Sequence, residues 1–401
     1  MNKMKTISSA LKRNHCGSDR RGTVIVLAAA MLVVVFGIAA FTVDLGLLNV
    51  TKGQVQNAAD SAAHAAMQEL INGIGPGATV TSQVASVNAG QKATNLVRRF
   101  RSGDVDATDL SVGRDMRFGR RSWNSTNSQW VKEWGVTPFN MVEVSVRRTK
   151  AAGSPLGAVF SRFLGFSSFD VEARSVASVA PITGFSLPLG SSSTINLLPI
   201  ALDLATWNAL VQQIQSGTGS GFQDRDRYNA GAKTVSSGSD RIPEVNIYPD
   251  GTSVKPSGNR GTVDIGSPNN STADLVRQIT HGVNAYDLSF FPNSALKFNN
   301  QGVLYLQGDT GISAGIEASL KSVIGTTGAL PIFISVSGPG NNATYTIVRF
   351  VGVRIMAVKL TGGPNQRYLR VQPASYSTSF ATRGNIPVNV DALLGQPLLI
   401  E

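Results

Sequence analysis

The sequence predicts an α+β protein. One N-terminal transmembrane helix continues into an amphipathic helix, followed by an extracytoplasmic body with antiparallel sheet. Three observations predict this. Residues 23–43 run without a charge. Residues 54–71 place alanine at helical spacing. Beyond residue 72, short alternating apolar and polar runs interleave with segments of helical period.

The span comes first. "TVIVLAAAMLVVVFGIAAFTV", Thr23 to Val43, would be about 30 Å long as a helix, the thickness of a bilayer core. Lys3, Lys5, Lys12, Arg13, Arg20 and Arg21 precede it and Asp44 follows. That asymmetry predicts a cytoplasmic tail over residues 1–21 and an extracytoplasmic body. The stretch exceeds the roughly 7–15 residues of a secretory h-region, so an uncleaved signal anchor is expected. Net charge is +11, distributed as +5, −2, +6 and +2 over residues 1–21, 22–71, 72–180 and 181–401. The basic residues of the middle third form no recognisable nucleic-acid motif, and no nucleic-acid partner is expected. Cys16 is the single cysteine, which excludes an intramolecular disulfide and a cysteine-rich metal site.

The second element is "QNAADSAAHAAMQEL", Gln56 to Leu70. Alanine loses least on entering a helix, yet it buries little area. Val55, Ala58, Ala59, Ala62, Ala63, Ala66, Met67 and Leu70 repeat at i, i+3, i+4, i+7 and onward, one stripe of a helix. Gln54, Gln56, Asn57, Asp60 and Glu69 lie on its other face. Small residues let another backbone approach closely. Packing on the chain's own body and pairing with a partner helix, including a second copy, both remain open. If unbroken at Gly46 and Gly53, Thr23 to Ile71 would form one rod of about 70 Å, a stalk carrying the body.

The stretch from Arg20 to Leu70 resembles the N-terminal domain of TadG-like proteins of the Flp (tight adherence) pilus assembly system. The residues that carry the resemblance are Arg20-Arg21-Gly22, the apolar helix, Asp44-Leu45-Gly46, and Gln56 through Ala63. The resemblance covers about an eighth of the chain. It implies a structural or assembly component of the pilus in the bacterial inner membrane, with other pilus-assembly or envelope proteins as partners. Pilin-like relatives are cut after a glycine and carry Glu at the fifth mature position. Counted from Gly22 that position is Leu27, so retention in the membrane is expected rather than polymerisation.

The body divides into a first outer domain over 72–180 and a C-terminal one over 181–401, with Pro181 at the boundary. In the first, residues 84–101 read as a helix, "MVEVSVRR" and "FDVEARSVASV" as strands, and "PLGAVFSRFLGF" between them as a short amphipathic helix. The last three also resemble the close of the first outer domain in TadG-like and TadE-like proteins. In the second, Asp203 reads as the N-cap and Gly217 as the stop of a helix, and Ser271 caps another. Strand-like runs follow, notably "LPIFISVSG", "TYTIVRFVGVRIMAVKLTG" and "YLRVQPASYS". Residues 216–270, rich in Gly, Ser, Asn and Pro, read as exposed loops.

No catalytic constellation emerges, and neither a cofactor nor a metal is expected. His281 is the one histidine of the outer domains and falls at a helix end. Asp224-Arg225-Asp226 lacks the oxygen donor and glycine of a calcium loop, since Tyr228 and Asn229 stand there. Some TadG-like proteins carry a von Willebrand type A domain with an Asp-x-Ser-x-Ser motif, which "DGTSV" from Asp250 does not match. "GTGSGF" and "GPGNNA" lack a phosphate-loop pattern. The basic run "RDMRFGRRSW", Arg114 to Trp123, reads as a solvated loop or as a contact for anionic lipid, wall polymer or an acidic partner. The residues expected to matter are Asp44, Gly46, Gln56, Asn57, Ala58, Ala59, Asp60, Ala62 and Ala63, in helix packing or at a partner interface. The alternative functions are a membrane-tethered adhesin or wall-binding module and, behind it, a hydrolase using His281.

Overall fold

The protein is seen here as a computed structural model that describes residues 20–124, 126–217, 221–248, 260–266, 271–338, 340–384 and 393–400. The tail with Cys16 and the Asp250 motif lie outside the described residues. One helix, α1, runs unbroken from Arg20 to Leu70, 51 residues or about 75 Å. Gly46 and Gly53 do not interrupt it, because neither meets anything that would force the backbone aside. From Val24 to Val43 every large apolar side chain is exposed. Among the described residues this is the one helix long and apolar enough to cross a membrane.

The second half of α1 is different. Val55, Ala58, Ala59, Ala62, Ala63, Ala66, Met67 and Leu70 are buried in the protein's own core. Of the two readings open for the stripe, packing on the chain's own body is the one seen here: that length of helix is the centre of a folded body. A short turn, Ile71–Gly73, then lets the chain double back. A Cβ at Gly73 would stand 2.7 Å from the Ala85 Cβ, so only glycine permits this approach. Helix α2, Ser82–Val97, follows, capped by the Thr81 hydroxyl, which accepts from the Val84 N–H. Its Ala85, Ala89, Ala93 and Val97 meet the α1 stripe, alanine against alanine.

The other side of α1 rests on an antiparallel sheet. Its strands are β1 (Met116–Asn124), β2 (Gln129–Trp134), β3 (Met141–Arg148) and β4 (Val171–Ser178). The spatial order is β4-β3-β1-β2, with α1 lying across β3 and β4. Alternation on β3 turns Val142, Val144 and Val146 into the helix core, while Glu143 and Ser145 occupy the opposite face. The basic run is thus no loop. After a short helical turn that ends at Asp115, it is β1 from Met116 onward, paired on both sides. "PLGAVFSRFLGF" is no amphipathic helix either. It forms a two-residue strand, Leu156–Gly157, and one 3-10 turn, Ser161–Leu164.

The second body starts with β5 (Ile182–Ser186). It continues with β6 (Ile200–Asp203), helix α3 (Leu204–Ser216), β7 (Val245–Asn246), β8 (Gly261–Val263) and helix α4 (Thr272–His281). Then come β9 (Ala295–Lys297), β10 (Leu304–Asp309), β11 (Thr327–Ser337), the 17-residue β12 (Ala343–Lys359), β13 (Tyr368–Pro373) and β14 (Ala381–Arg383). Five of these close a ring in the order β12-β10-β8-β6-β11, returning to β12; β13 and β7 extend it, and β9-β5-β14 form a separate small sheet. The antiparallel expectation needs one amendment: β6 and β11 pair in parallel. Trp207, on α3, is fully buried in the core beneath this sheet. Asp203 caps α3, accepting from the Thr206 N–H at 2.9 Å, and also binds Arg260 at 3.0 Å. Burial pushes its pKa up, but the Thr206 and Arg260 contacts prevail and hold it below the ordinary carboxylate range.

The two bodies are joined twice. The chain crosses between Ser178 and Ile182, and later the strand β15 (Leu398–Leu399) returns to pair with the free edge of β4. Residues 181–401 therefore do not all belong to the second body. Gly77 packs directly on the backbone of Ala374, where a Cβ would stand 2.6 Å away.

One buried acid gives the second body a pH dependence. Burial pushes the Glu244 carboxyl up to about 7, against the N–H groups of Asp226 and Arg225 that favour its ionised form. A folded pKa above the unfolded one means the native state holds the extra proton. Stability from this group is present in acid and is lost as pH rises from about 4.5 to about 7. Glu244→Gln should raise the melting temperature at pH 8 relative to the native protein and flatten its change between pH 5 and 8, measured by calorimetry.

Candidate functional site

The distinctive geometry lies where α1 enters the body. Asp44 is one residue beyond the exposed apolar stretch and is only 2% exposed. Its carboxylate accepts from the backbone N–H of Val159 at 3.0 Å, of Phe160 at 3.1 Å and of Ser161 at 2.5 Å, and from the Ser161 hydroxyl at 2.5 Å. These N–H groups are free because they open a 3-10 turn and have no partner within it. A carboxylate at such a turn satisfies them all at once, and charge-assisted bonds of this kind are stronger than neutral ones. Asp44 therefore clamps loop 156–166 to the helix at the height where the exposed apolar stretch ends.

A second clamp lies two to three turns further along. Gln54 accepts from the Gly103 N–H at 2.7 Å. Gly103 has φ +62°, and a Cβ there would stand 2.7 Å from the Thr51 Oγ1, so both the turn and the close approach require glycine. Beside it Arg148, whose side chain is 2% exposed, gathers the neighbouring loops. It donates to Asp104 at 2.6 Å, to the Ser154 carbonyl at 2.7 Å, to the Pro155 carbonyl at 3.1 Å and to the Ser102 carbonyl. A continuous path thus runs from α1 through Gly103 and Arg148 to residues 154–161 and back to α1 at Asp44.

Residues 22–69 match the family described as "Putative Flp pilus-assembly TadE/G-like". The N-terminal segment is TadG-like. No curated protein and no solved structure matches the chain. The TadG-like match ends one residue before the end of α1, so it covers both the exposed apolar half and the half inside the body.

Within the TadG-like segment the expected residues fall into three groups. Ala58, Ala59, Ala62 and Ala63 are fully buried against α2 and the sheet. Asp44 and Gln56 make directed bonds, Gln56 to Asp60 at 2.8 Å and to the Arg174 carbonyl of β4 at 3.4 Å. Gly46 and Asn57 are exposed and meet nothing that assigns them a role. Sequence reasoning missed Ser161, Arg148 and Gly103. Each has a partner 44 to 117 residues away, Asp104 for Arg148, Gln54 for Gly103 and Asp44 for Ser161, which the local sequence does not reveal.

One further surface belongs with the basic run. The face of β1 and β2 turned away from α1 carries Trp123, Trp130 and Trp134, three of the four tryptophans. Arg117 lies 4.5 Å over the Trp134 ring and Arg121 4.1 Å over Trp130. Arg117 and Arg174 both approach the buried Glu143, at 3.7 and 3.4 Å. Stacking on tryptophan holds each guanidinium flat against the sheet.

Removing the Asp44 carboxylate should free the loop without unfolding the body. In Asp44→Ala, amide exchange at residues 159–161 should speed up by at least tenfold while that of β3 stays unchanged, read by hydrogen–deuterium exchange.

Proposed function

We propose that this chain is a non-enzymatic, membrane-anchored structural or assembly component of a Flp-type pilus system. Residues 24–43 of α1 cross the inner membrane, with the N-terminus inside and both bodies outside. The observation that carries this reading is the coincidence of the TadG-like segment with a helix of two halves, one bare and apolar, the other sealed into a folded body. A helix apolar on all sides is stable only where no water reaches it. Because the alanine stripe is already used inside the chain, contacts to other pilus-assembly proteins or to a second copy run through the bare half or through the bodies. Deleting the chain in its host should abolish surface pili, and the intact chain should restore them. A chain lacking residues 24–43 should not. Normal piliation in the deletion strain would overturn the proposal.

A second reading, attachment to an anionic wall polymer, draws on the Arg–Trp face of β1 and β2. It predicts that Arg117→Glu with Arg121→Glu abolishes retention of the protein by wall material while leaving its membrane association intact.

A further inference from the structure

Three exposed apolar side chains gather on the loop that Asp44 holds: Val159 is 47% exposed, Phe160 40% and Phe166 63%. Exposed phenylalanines in water are costly, and a soluble loop of this length normally keeps them covered. Their place explains them. Phe160 and Ser161 form one wall of a cleft of about 350 Å³ whose other wall is α1 itself, at Phe36, Ala40, Phe41 and Val43. The loop thus does not stop at Asp44. It reaches back along the helix by about two turns, beside residues that the proposed membrane reading places in the bilayer.

We propose that loop 159–166 inserts into the outer leaflet of the membrane, and that lipid acyl chains fill the cleft between Phe160 and α1. The inference rests on the membrane reading of α1. The occupant follows from continuity: the cleft opens onto the same apolar surface that lipid covers on the rest of the span, and its walls are apolar apart from Ser161, which faces Asp44. Arg162 lies at the turn and donates to the Ala158 carbonyl at 3.0 Å, and its long side chain suits the headgroup level. Aromatic side chains favour this interfacial zone. The loop then gives the body a second point of contact with the bilayer. One helix alone leaves a body free to tilt and to spin about the helix axis. A helix plus a loop clamped to it by Asp44 fixes the depth, the tilt and the side that faces the membrane.

Spin-label accessibility tests this on the full chain in vesicles of phosphatidylethanolamine and phosphatidylglycerol. In a Cys16→Ser background, a nitroxide is placed singly at Leu32→Cys in the span, at Phe166→Cys in the loop and at Tyr286→Cys on the distant surface. The Phe166 label should be reached by oxygen and shielded from a water-soluble nickel chelate, as the Leu32 label is. A Phe166 label as open to nickel as the Tyr286 label, with Leu32 shielded, would overturn the loop proposal and leave the membrane reading standing. Nickel access at Leu32 would overturn both. Spin–spin broadening at Phe166 that disappears on dilution with unlabelled protein would also overturn it, because a second copy would then occupy the cleft. A fourth label, at Phe166→Cys with Asp44→Ala, should move toward the nickel-accessible value, which ties the insertion to the clamp.

Discussion

Replacing Ala59 and Ala63 together by leucine is expected to unfold the first body. Both positions are completely buried where α1 meets α2 and the sheet. Each leucine adds three carbon atoms to a contact in which the facing residues are themselves mostly alanine and valine. Interiors are packed as densely as organic crystals, so the helices must separate. Overpacking costs typically about 1–3 kcal/mol per site. The two positions are one turn apart and share neighbours, so their costs couple. The loss should appear as a melting transition lowered in purified protein at any concentration. A stripe devoted to a partner helix would behave otherwise, leaving the melting of the isolated chain unchanged. Leucine at Val33, on the bare half of α1, serves as the control and should leave the melting temperature where it is.

The second large effect is expected at Arg148. Its guanidinium satisfies four loop groups from inside the protein, and Asp104, half exposed, is its counter-charge. Arg148→Ala removes the donor from the buried Ser102 carbonyl and from the half-buried Ser154 and Pro155 carbonyls, and leaves a void as well. The Asp104 carboxylate left behind is half exposed and returns to water, so the cost is that of the unsatisfied buried acceptor, about 1–3 kcal/mol. Urea denaturation of the first body should shift by that amount. The damage should also travel along the path to Asp44, so exchange protection at residues 159–161 should fall although Asp44 itself is intact. Arg148→Met tests the division of the effect. It restores much of the volume but none of the hydrogen bonds, and it should recover stability only in part.

What could be read in the sequence follows from the range of each interaction. The apolar span, the alanine helix, the strands β3 and β4 and the caps at Asp203 and Ser271 all rest on neighbours within a few residues, and the structure has them. The amphipathic look of residues 155–166 misled because its apolar members do not face one core. Leu156 is buried while Val159 and Phe160 stand out, and the N–H groups that would have continued a helix bind Asp44 instead. The basic run looked like a loop because charge at high density normally marks solvent. Here alternation puts Arg117 and Arg121 on one face of a paired strand, and tryptophans from the next strand, unseen in the local sequence, give them a surface. The ring of strands in the second body could not be read at all, since closure depends on β12 pairing with both β10 and β11.

The return of residues 398–399 to β4 has a consequence for the order of synthesis. During translation the first body is made early, but the outer edge of its sheet stays open until more than two hundred further residues have been produced. An unpaired strand edge is a template for wrong association. Residues 398–399 pair with Ala177 and Ser178, so this end of the first body's edge strand is the last part of its sheet to be completed. A chain truncated within the second body would lose not only that body but the closing strand of the one before it.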